Sequence, residues 1–145
     1  MPYNVKDGSL TVSVALPAAA GAVATPSIDL GAPSQGAMAC DFVAPCELVI
    51  DAPAMSTTQL PNTATMTYAI QTSDDDQSWT TVDPAVLVQT GAGGTGAAAA
   101  EVRYRFPTNV KRYVQVLATG SAAVQGGTAA IGSCAAATLV AALAF

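Results

Sequence analysis

Three adjacent carboxylates form the densest group of reactive side chains in the sequence. Asp74, Asp75 and Asp76 lie in the stretch QTSDDDQSW, between two strand-like segments. A calcium site needs six to eight oxygens, usually from spaced residues, and a glycosidase pair needs two carboxylates that face each other across a cleft. Neighbours in one turn rarely meet either requirement. We therefore favour an Asp-capped β-turn at a hairpin tip over a cation or catalytic site, and we expect no metal there.

A second group of side chains is basic, and it falls within the stretch EVRYRFPTNVKRYVQVLA. The alternation predicts a β-hairpin that turns at Pro107-Thr108-Asn109, with Arg103 and Arg105 outward on one strand and Lys111-Arg112 opening its partner. Two interpretations stay open: a solvated face without a specific role, or a clamp for the carboxylates of a partner protein. On the second interpretation, the predicted partner-binding residues are the hairpin cations first and the N-terminal arm second: Arg103, Arg105, Lys111, Arg112, Met1, Pro2, Tyr3 and Lys6.

Other residue types that commonly carry catalysis are missing or badly spaced. The chain has no histidine, which removes the commonest general base and the commonest metal ligand. The three cysteines, Cys40, Cys46 and Cys134, do not have zinc-site spacing, and we interpret them as free thiols that serve as small hydrophobic side chains. The glycines of GAGGTGAAAA lack the Lys-Ser/Thr of a P-loop and indicate a flexible loop, the segment most prone to disorder. We expect a protein that is not an enzyme and that uses no cofactor.

Composition narrows the class of partner. Only 10% of the 145 residues are charged and the net charge is −5, which disfavours nucleic-acid binding. The first ten residues lack the pattern of a signal peptide. The apolar tail TAAIGSCAAATLVAALAF predicts a buried final strand in preference to a membrane span. A mostly neutral surface favours contacts between subunits, so we expect a homo-oligomer, a dimer or a trimer.

The elements that must position these groups are strands. SLTVSVAL alternates with period two and predicts a half-buried strand that ends at Pro17. Further strands are predicted in SIDL, CELVIDA, TATMTYAIQTS, SWTTV, AVLVQT, the basic stretch and the tail, whereas AAAGAVATP is interpreted as an irregular connection and residues 53–62 as a loop. The pattern predicts an all-β, jelly-roll-like sandwich of about eight or nine antiparallel strands. It forms a single domain over residues 1–145, with an N-terminal arm at 1–8.

Several of these segments together resemble a known family. SIDLG, IQTSDD, VRYRFPTNVKRYVQVLATGSA and GTAA, spread over residues 27–143, are similar to the capsid cement (decoration) proteins of tailed bacteriophages, in the jelly-roll family typified by the cement protein of a Bordetella short-tailed phage. The N-terminal stretch MPYNVKDGSLTVSVALP and the Ala-rich tail depart from that pattern.

The resemblance implies a structural virion protein that binds the outside of the assembled head as an oligomer. It would brace the major capsid protein against internal DNA pressure, and it would reside on the outer capsid surface, passing through the host cytoplasm during assembly. Two alternatives are a carbohydrate-binding β-sandwich module, with Trp79 and the acidic tip as its platform, and an accessory domain of a phage tail or spike.

Overall fold

Nine strands make up the regular structure of the computed structural model, which describes residues 6–30, 47–107 and 109–144, with the backbone alone for residues 6–10. In chain order they are β1 (Lys6–Ala15), β2 (Gly21–Ala24), β3 (Ile28–Asp29), β4 (Glu47–Ala52), β5 (Thr65–Ser73), β6 (Thr80–Thr90), β7 (Ala100–Arg105), β8 (Tyr113–Gly120) and β9 (Thr138–Ala144). The described part of the chain contains no helix, so none is present there that could span a membrane. The predicted all-β class is confirmed.

The strands form two antiparallel sheets. Sheet A has the order β1-β9-β4-β7, and sheet B has the order β2-β8-β5-β6 with β3 also paired to β8. The strands pair as in one long antiparallel hairpin that is folded over on itself. From its closed end, the successive pairs are β5–β6, β4–β7, β2/β3–β8 and β1–β9, and they lie alternately in sheet B and sheet A. This strand order is that of a jelly roll.

The core lies between the sheets and is filled from alternating strand positions. In β5, Met66, Tyr68 and Ile70 point inward and are fully buried, and Val114 and Val116 of β8 lie beside them. On the facing sheet, Leu48 and Ile50 pair with Leu143 and Ala141 of β9 in register. The intervening side chains point to the outer faces of the sheets. Val49 and Ala142 are buried even there, so candidate binding residues are the outward-pointing side chains that remain exposed.

Most of the predicted strands are confirmed, including the buried final strand in the apolar tail, which is β9 (Thr138–Ala144) at the interior of sheet A. The predicted irregular connection at AAAGAVATP is wrong in part, because Gly21–Ala24 forms β2 against β8. The arm predicted at 1–8 is too long, because Lys6 begins β1 and pairs with Ala144. Residues 1–5 lie outside the described part of the chain.

The predicted basic hairpin is wrong. β7 pairs with β4 in sheet A, from Glu47 opposite Arg105 to Ala52 opposite Ala100, whereas β8 pairs with β5 in sheet B. The connection between them crosses from one sheet to the other, a gap of about 10 Å. Phe106 and Val110 of this connection pack against the core. The apolar residues around the proline therefore bridge two sheets instead of closing a tight turn.

The Gly-rich loop is held in place, contrary to the flexible loop predicted for it. Ala97 exchanges two backbone hydrogen bonds with Met55, and Gly91 donates one to Ala64 and accepts one from Thr63. A Cβ atom added at Gly91 would lie 2.0 Å from the carbonyl oxygen of Pro61, and one at Gly96 would lie 2.1 Å from that of Met55. Glycine at these positions allows two backbone segments to approach closely. A Gly-rich composition alone does not show whether the glycines serve such a close approach or a flexible loop.

Candidate functional site

The four cations of the predicted hairpin lie in two separate places. Arg103 and Arg105 project from the outer face of sheet A, on its edge strand β7. Lys111 and Arg112 lie in the crossing connection and lead into β8 of sheet B. No single strand pair therefore presents all four, and each place has its own acidic partners.

The first place is the charged face of sheet A, which consists of Glu47, Glu101, Arg103 and Arg105. Both arginines contact the Glu47 carboxylate. Nε of Arg105 donates to Oε1 at 3.2 Å, and Nη1 of Arg103 lies 3.6 Å from Oε2. Nε of Arg103 also lies 3.3 Å from Oε1 of Glu101. This geometry follows from the register, because Glu47 and Arg105 are directly opposite each other in β4 and β7.

Exposure differs sharply within the charged face. The side chain of Arg105 is 77% exposed, whereas that of Arg103 is 34% exposed and lies between two carboxylates. A partner's carboxylate can reach Arg105 without first displacing its neighbours. Arg103 instead neutralises the acids that the two strands bring together.

The second place is the charged corner, which consists of Asp29, Asp74, Lys111, Arg112 and Tyr113. Arg112 donates two hydrogen bonds to the Asp29 carboxylate, at 2.9 and 2.7 Å, in the forked geometry that arginine and carboxylate favour. Its guanidinium also lies 4.9 Å from the centroid of the Tyr113 ring. The hydrogen bonds to Asp29 raise the pKa of Arg112.

The acidic turn joins this corner through its first residue. Nζ of Lys111 lies 2.9 Å from Oδ2 of Asp74. The end of β5 is fixed to the same connection, because the Lys111 N–H donates to Oγ1 of Thr72, and that hydroxyl donates to the Tyr113 carbonyl. The turn and the start of β8 are thereby held together although they are almost forty residues apart.

The rest of the acidic stretch forms a turn, as predicted. Oδ1 of Asp75 accepts hydrogen bonds from the N–H groups of Ser78 and Gln77 and from the Ser73 hydroxyl, and these bonds lower the pKa of Asp75 to about 2. Asp76 adopts a left-handed conformation, with φ 59°, which aspartate tolerates better than most residues. In the described part of the chain, no three His, Cys, Asp or Glu side chains are grouped to hold a metal ion.

The remaining predicted residues fall elsewhere. Met1, Pro2 and Tyr3 lie outside the described residues, and Lys6 is placed only through the backbone of β1. Of the cysteines, Cys134 is a free, buried thiol whose pKa is raised by burial, as predicted for a hydrophobic filler. Cys40 and Cys46 lie outside the described residues.

Sequence reasoning missed the acidic partners of the arginines. Asp29 and Glu47 both lie in predicted strands, at positions that alternate with buried Ile28 and Leu48. That alternation marks them as outward-facing. The sequence does not show which arginine each carboxylate contacts, because Glu47 and Arg105 are 58 residues apart and Asp29 and Arg112 are 83 residues apart.

The sequence matches no protein-family model and no curated protein. The charged face and the charged corner are the structural features of the described residues that bear on function.

Proposed function

We propose that this protein is a capsid cement protein, a structural component of the virion that binds the outer surface of a phage head as an oligomer and stabilises contacts of the major capsid protein. It acts by binding alone, without catalysis or a cofactor. The jelly-roll strand order supports this proposal, since virion proteins often use that fold. The same fold also carries other functions, so the argument depends on the site.

The observation that carries the proposal is the convergence of the segments that resemble the cement family. SIDLG contributes Asp29, IQTSDD contributes Thr72 and Asp74, and VKRYVQV contributes Lys111, Arg112 and Tyr113. These segments are far apart in the sequence, yet the Asp29 and Arg112 side chains and the Asp74 and Lys111 side chains pair in the charged corner, and the Lys111 N–H donates to Thr72 beside it. In this proposal the three segments act as one structural unit that sets the position of the connection between β7 and β8.

Docking in this proposal uses the charged face, with Arg105 as its principal cation. Arg112 and Lys111 are committed to Asp29 and Asp74, and their side chains are less than 40% exposed. Arg105 combines high exposure with a single acidic partner among the described residues, Glu47. One exposed ion pair contributes only about 0–1 kcal/mol, but an oligomer presents several copies at once, and the joint attachment is much stronger than each contact.

Cosedimentation tests this proposal. Purified protein is mixed with heads assembled from the major capsid protein of the same phage, and separately with unassembled capsid protein, and each mixture is run through a density gradient. We expect the protein to travel with heads and not with unassembled subunits. Protein that stays at the top of the gradient with heads at every concentration would contradict the proposal.

Paired variants test the docking face. Arg105→Gln and Thr119→Glu both change the net charge from −5 to −6, but Thr119 is an exposed residue of sheet B. We expect Arg105→Gln to weaken decoration, Arg103→Glu with Arg105→Glu to abolish it, and Thr119→Glu to leave it unchanged. Binding should also weaken as salt rises. Undiminished decoration by the double variant at low and high salt would refute docking through this face.

A carbohydrate-binding module is the second candidate, and one surface favours it. The outer face of sheet B carries a row of neutral hydrogen-bonding groups: the Gln115 amide donates to Gln71 at 2.8 Å, and the Gln71 amide donates to Thr81 at 3.4 Å. Trp79 is partly exposed just before β6. Glycan-array binding that is lost in both Trp79→Ala and Gln115→Ala, with no binding to heads, would favour this candidate over the cement protein.

A further inference from the structure

Four loops at one end of the sandwich contain no charged residue. They are residues 16–20, 53–64, 91–99 and 121–137, with the sequences LPAAA, PAMSTTQLPNTA, GAGGTGAAA and SAAVQGGTAAIGSCAAA. These 43 residues include no Asp, Glu, Lys or Arg. We call this surface the uncharged end, and every residue in it lies in the described part of the chain.

Strand pairing places the four loops together. Ala15 lies opposite Thr138, Ala52 opposite Ala100, and Thr65 opposite Thr90, so the loops next to these residues leave the sheets at the same end. The charged corner and the acidic turn lie at the opposite end, where β5 finishes and β8 begins. Asp51 and Glu101 lie one residue inside the ends of their strands, on the outer face of sheet A, at the rim of the uncharged end.

Backbone hydrogen bonds join these loops to one another. Cys134 donates to the Pro17 carbonyl at 3.0 Å, Gly132 donates to that of Gln59 at 2.9 Å, and Met55 donates to that of Ala97 at 2.9 Å. Each loop is thus tied to at least one other. A surface that is fixed before association loses little conformational entropy when it binds.

The uncharged end is also exposed and large enough for a stable contact. It contains 24 exposed residues, most of them Ala, Gly, Ser or Thr, and a standard interface uses about 20–30 residues on each side. The exposed large hydrophobic residues of the described region lie on this surface or near it: Val124 in the 121–137 loop is 62% exposed, and Val88 near the end of β6 is 47% exposed. The absence of charged residues is a feature that this surface shares with the cores of protein interfaces.

We propose that the uncharged end binds a second copy of this chain, forming a head-to-head dimer with two-fold symmetry. The charge distribution favours a second copy. Each chain carries a net charge of −5, so two copies repel each other unless their charges are kept apart. Contact through the uncharged ends keeps the charged corners and the acidic turns of the two copies apart, because a nine-residue strand such as β5 spans about 30 Å and ions screen charges beyond about 8 Å at physiological salt. Asp51 and Glu101 stay at the solvent-accessible rim of the contact.

A two-fold contact also suits the residues present. Each patch meets an identical patch, and small neutral side chains can meet their own copies without charge repulsion. The dimer would leave the charged face and the charged corner of both copies free for other partners. The inference does not rest on the proposed function, since it concerns the purified chain alone.

Sedimentation equilibrium of the purified full-length chain tests the dimer. Val124→Asp puts a carboxylate at the tip of an exposed loop of the uncharged end, where it would meet its own copy in the dimer. Thr80→Asp makes the same change of charge at the opposite end, beside the acidic turn. We expect wild type and Thr80→Asp to dimerise with dissociation constants within about twofold of each other, and Val124→Asp to dimerise at least about tenfold more weakly, since like charges would be brought together.

Three further measurements make the result decisive. Circular dichroism and urea midpoints should be the same for the three proteins, because Val124 and Thr80 are both exposed; if Val124→Asp is destabilised, Thr95→Asp in the 91–99 loop replaces it. Raising salt from about 0.05 to 0.5 M should leave the dimer intact or strengthen it, as screening reduces repulsion between like-charged copies.

Three results would overturn the inference. They are a monomer at about 100 μM, well above the micromolar range of typical specific interfaces; a dimer that Thr80→Asp weakens and Val124→Asp does not; and a monomer whose binding to heads is abolished by Val124→Asp. The last result would assign the uncharged end to the capsid protein and would leave the proposed function standing.

Discussion

A buried hydrogen-bond network on the core side of sheet B is predicted to contribute strongly to stability. The hydroxyl of Tyr68 donates to Oε1 of Gln89 at 2.6 Å, and the Gln89 amide donates to the carbonyl oxygens of Pro53 and Ala98, at 3.0 and 2.9 Å. Tyr68 is 0% exposed and Gln89 is 5% exposed. One side chain of β6 therefore fastens two loops of the uncharged end to the core.

Tyr68→Phe removes the hydroxyl that donates to Oε1 of Gln89 and leaves this buried oxygen without that hydrogen bond. An unsatisfied buried polar group costs about 1–3 kcal/mol, so we expect the free energy of unfolding to fall by roughly that amount. Gln89→Leu leaves the Tyr68 hydroxyl and two carbonyl oxygens unpaired and should cost about 3 kcal/mol or more on the same basis. Gln115→Leu changes the same side chain on the outer face of the same sheet and should change stability by less than Gln89→Leu.

Urea unfolding of the two single variants and the double variant measures the coupling. Because Tyr68 and Gln89 share one hydrogen bond, the double variant should lose less than the sum of the single losses, by about 0.5–2 kcal/mol. If the single losses add to within about 0.3 kcal/mol, or if Gln115→Leu costs as much as Gln89→Leu, the network does not act as described.

Three further predictions concern a close backbone contact and two titrations. Gly91→Ala should lower the free energy of unfolding by at least about 2 kcal/mol, because its Cβ would clash with the Pro61 carbonyl; urea unfolding should show Gly93→Ala, whose Cβ meets nothing closer than 3.7 Å, to be nearly neutral. Hydrogen bonds lower the pKa of Asp75 to about 2, so the stability they give is present above pH 4 and is lost as the pH falls toward 2. An NMR titration of the Asp75 carboxyl should have its midpoint near 2, and a midpoint near 4 would contradict the turn geometry. Burial, with a smaller contribution from Cys134, raises the pKa of Tyr68. The free energy of unfolding should therefore fall as the pH rises above about 10, where tyrosines of the unfolded chain ionise. Tyr68→Phe should show a smaller fall in Tm over that range.

The features that were predicted correctly from the sequence depend on local chemistry. β5, the acidic turn and β6 form one hairpin whose alternation and capping residues lie within about 25 positions. β1 and β9 were also recognisable as strands from their own residues. Period-two burial and turn chemistry are properties of short segments, and a single sequence displays them.

The features that were predicted wrongly depend on partners far away in the chain. Whether β7 pairs with β8 or with β4 is decided by competition between strands, and β4 provides Glu47 opposite Arg105. The Gly-rich loop contains the residues of a flexible linker, but its glycines fit against the backbone near Met55 and Pro61. The charged corner brings together Asp29 and Arg112, which no local pattern connects.

Cryo-electron microscopy of heads incubated with the purified chain tests the central proposal most directly. The cement proposal predicts density for a jelly roll on the outer surface of the head, with the charged face and Arg105 against the major capsid protein. Heads whose outer surface has no added density at saturating concentration, or jelly-roll density that touches the capsid through neither arginine of β7, would contradict the account.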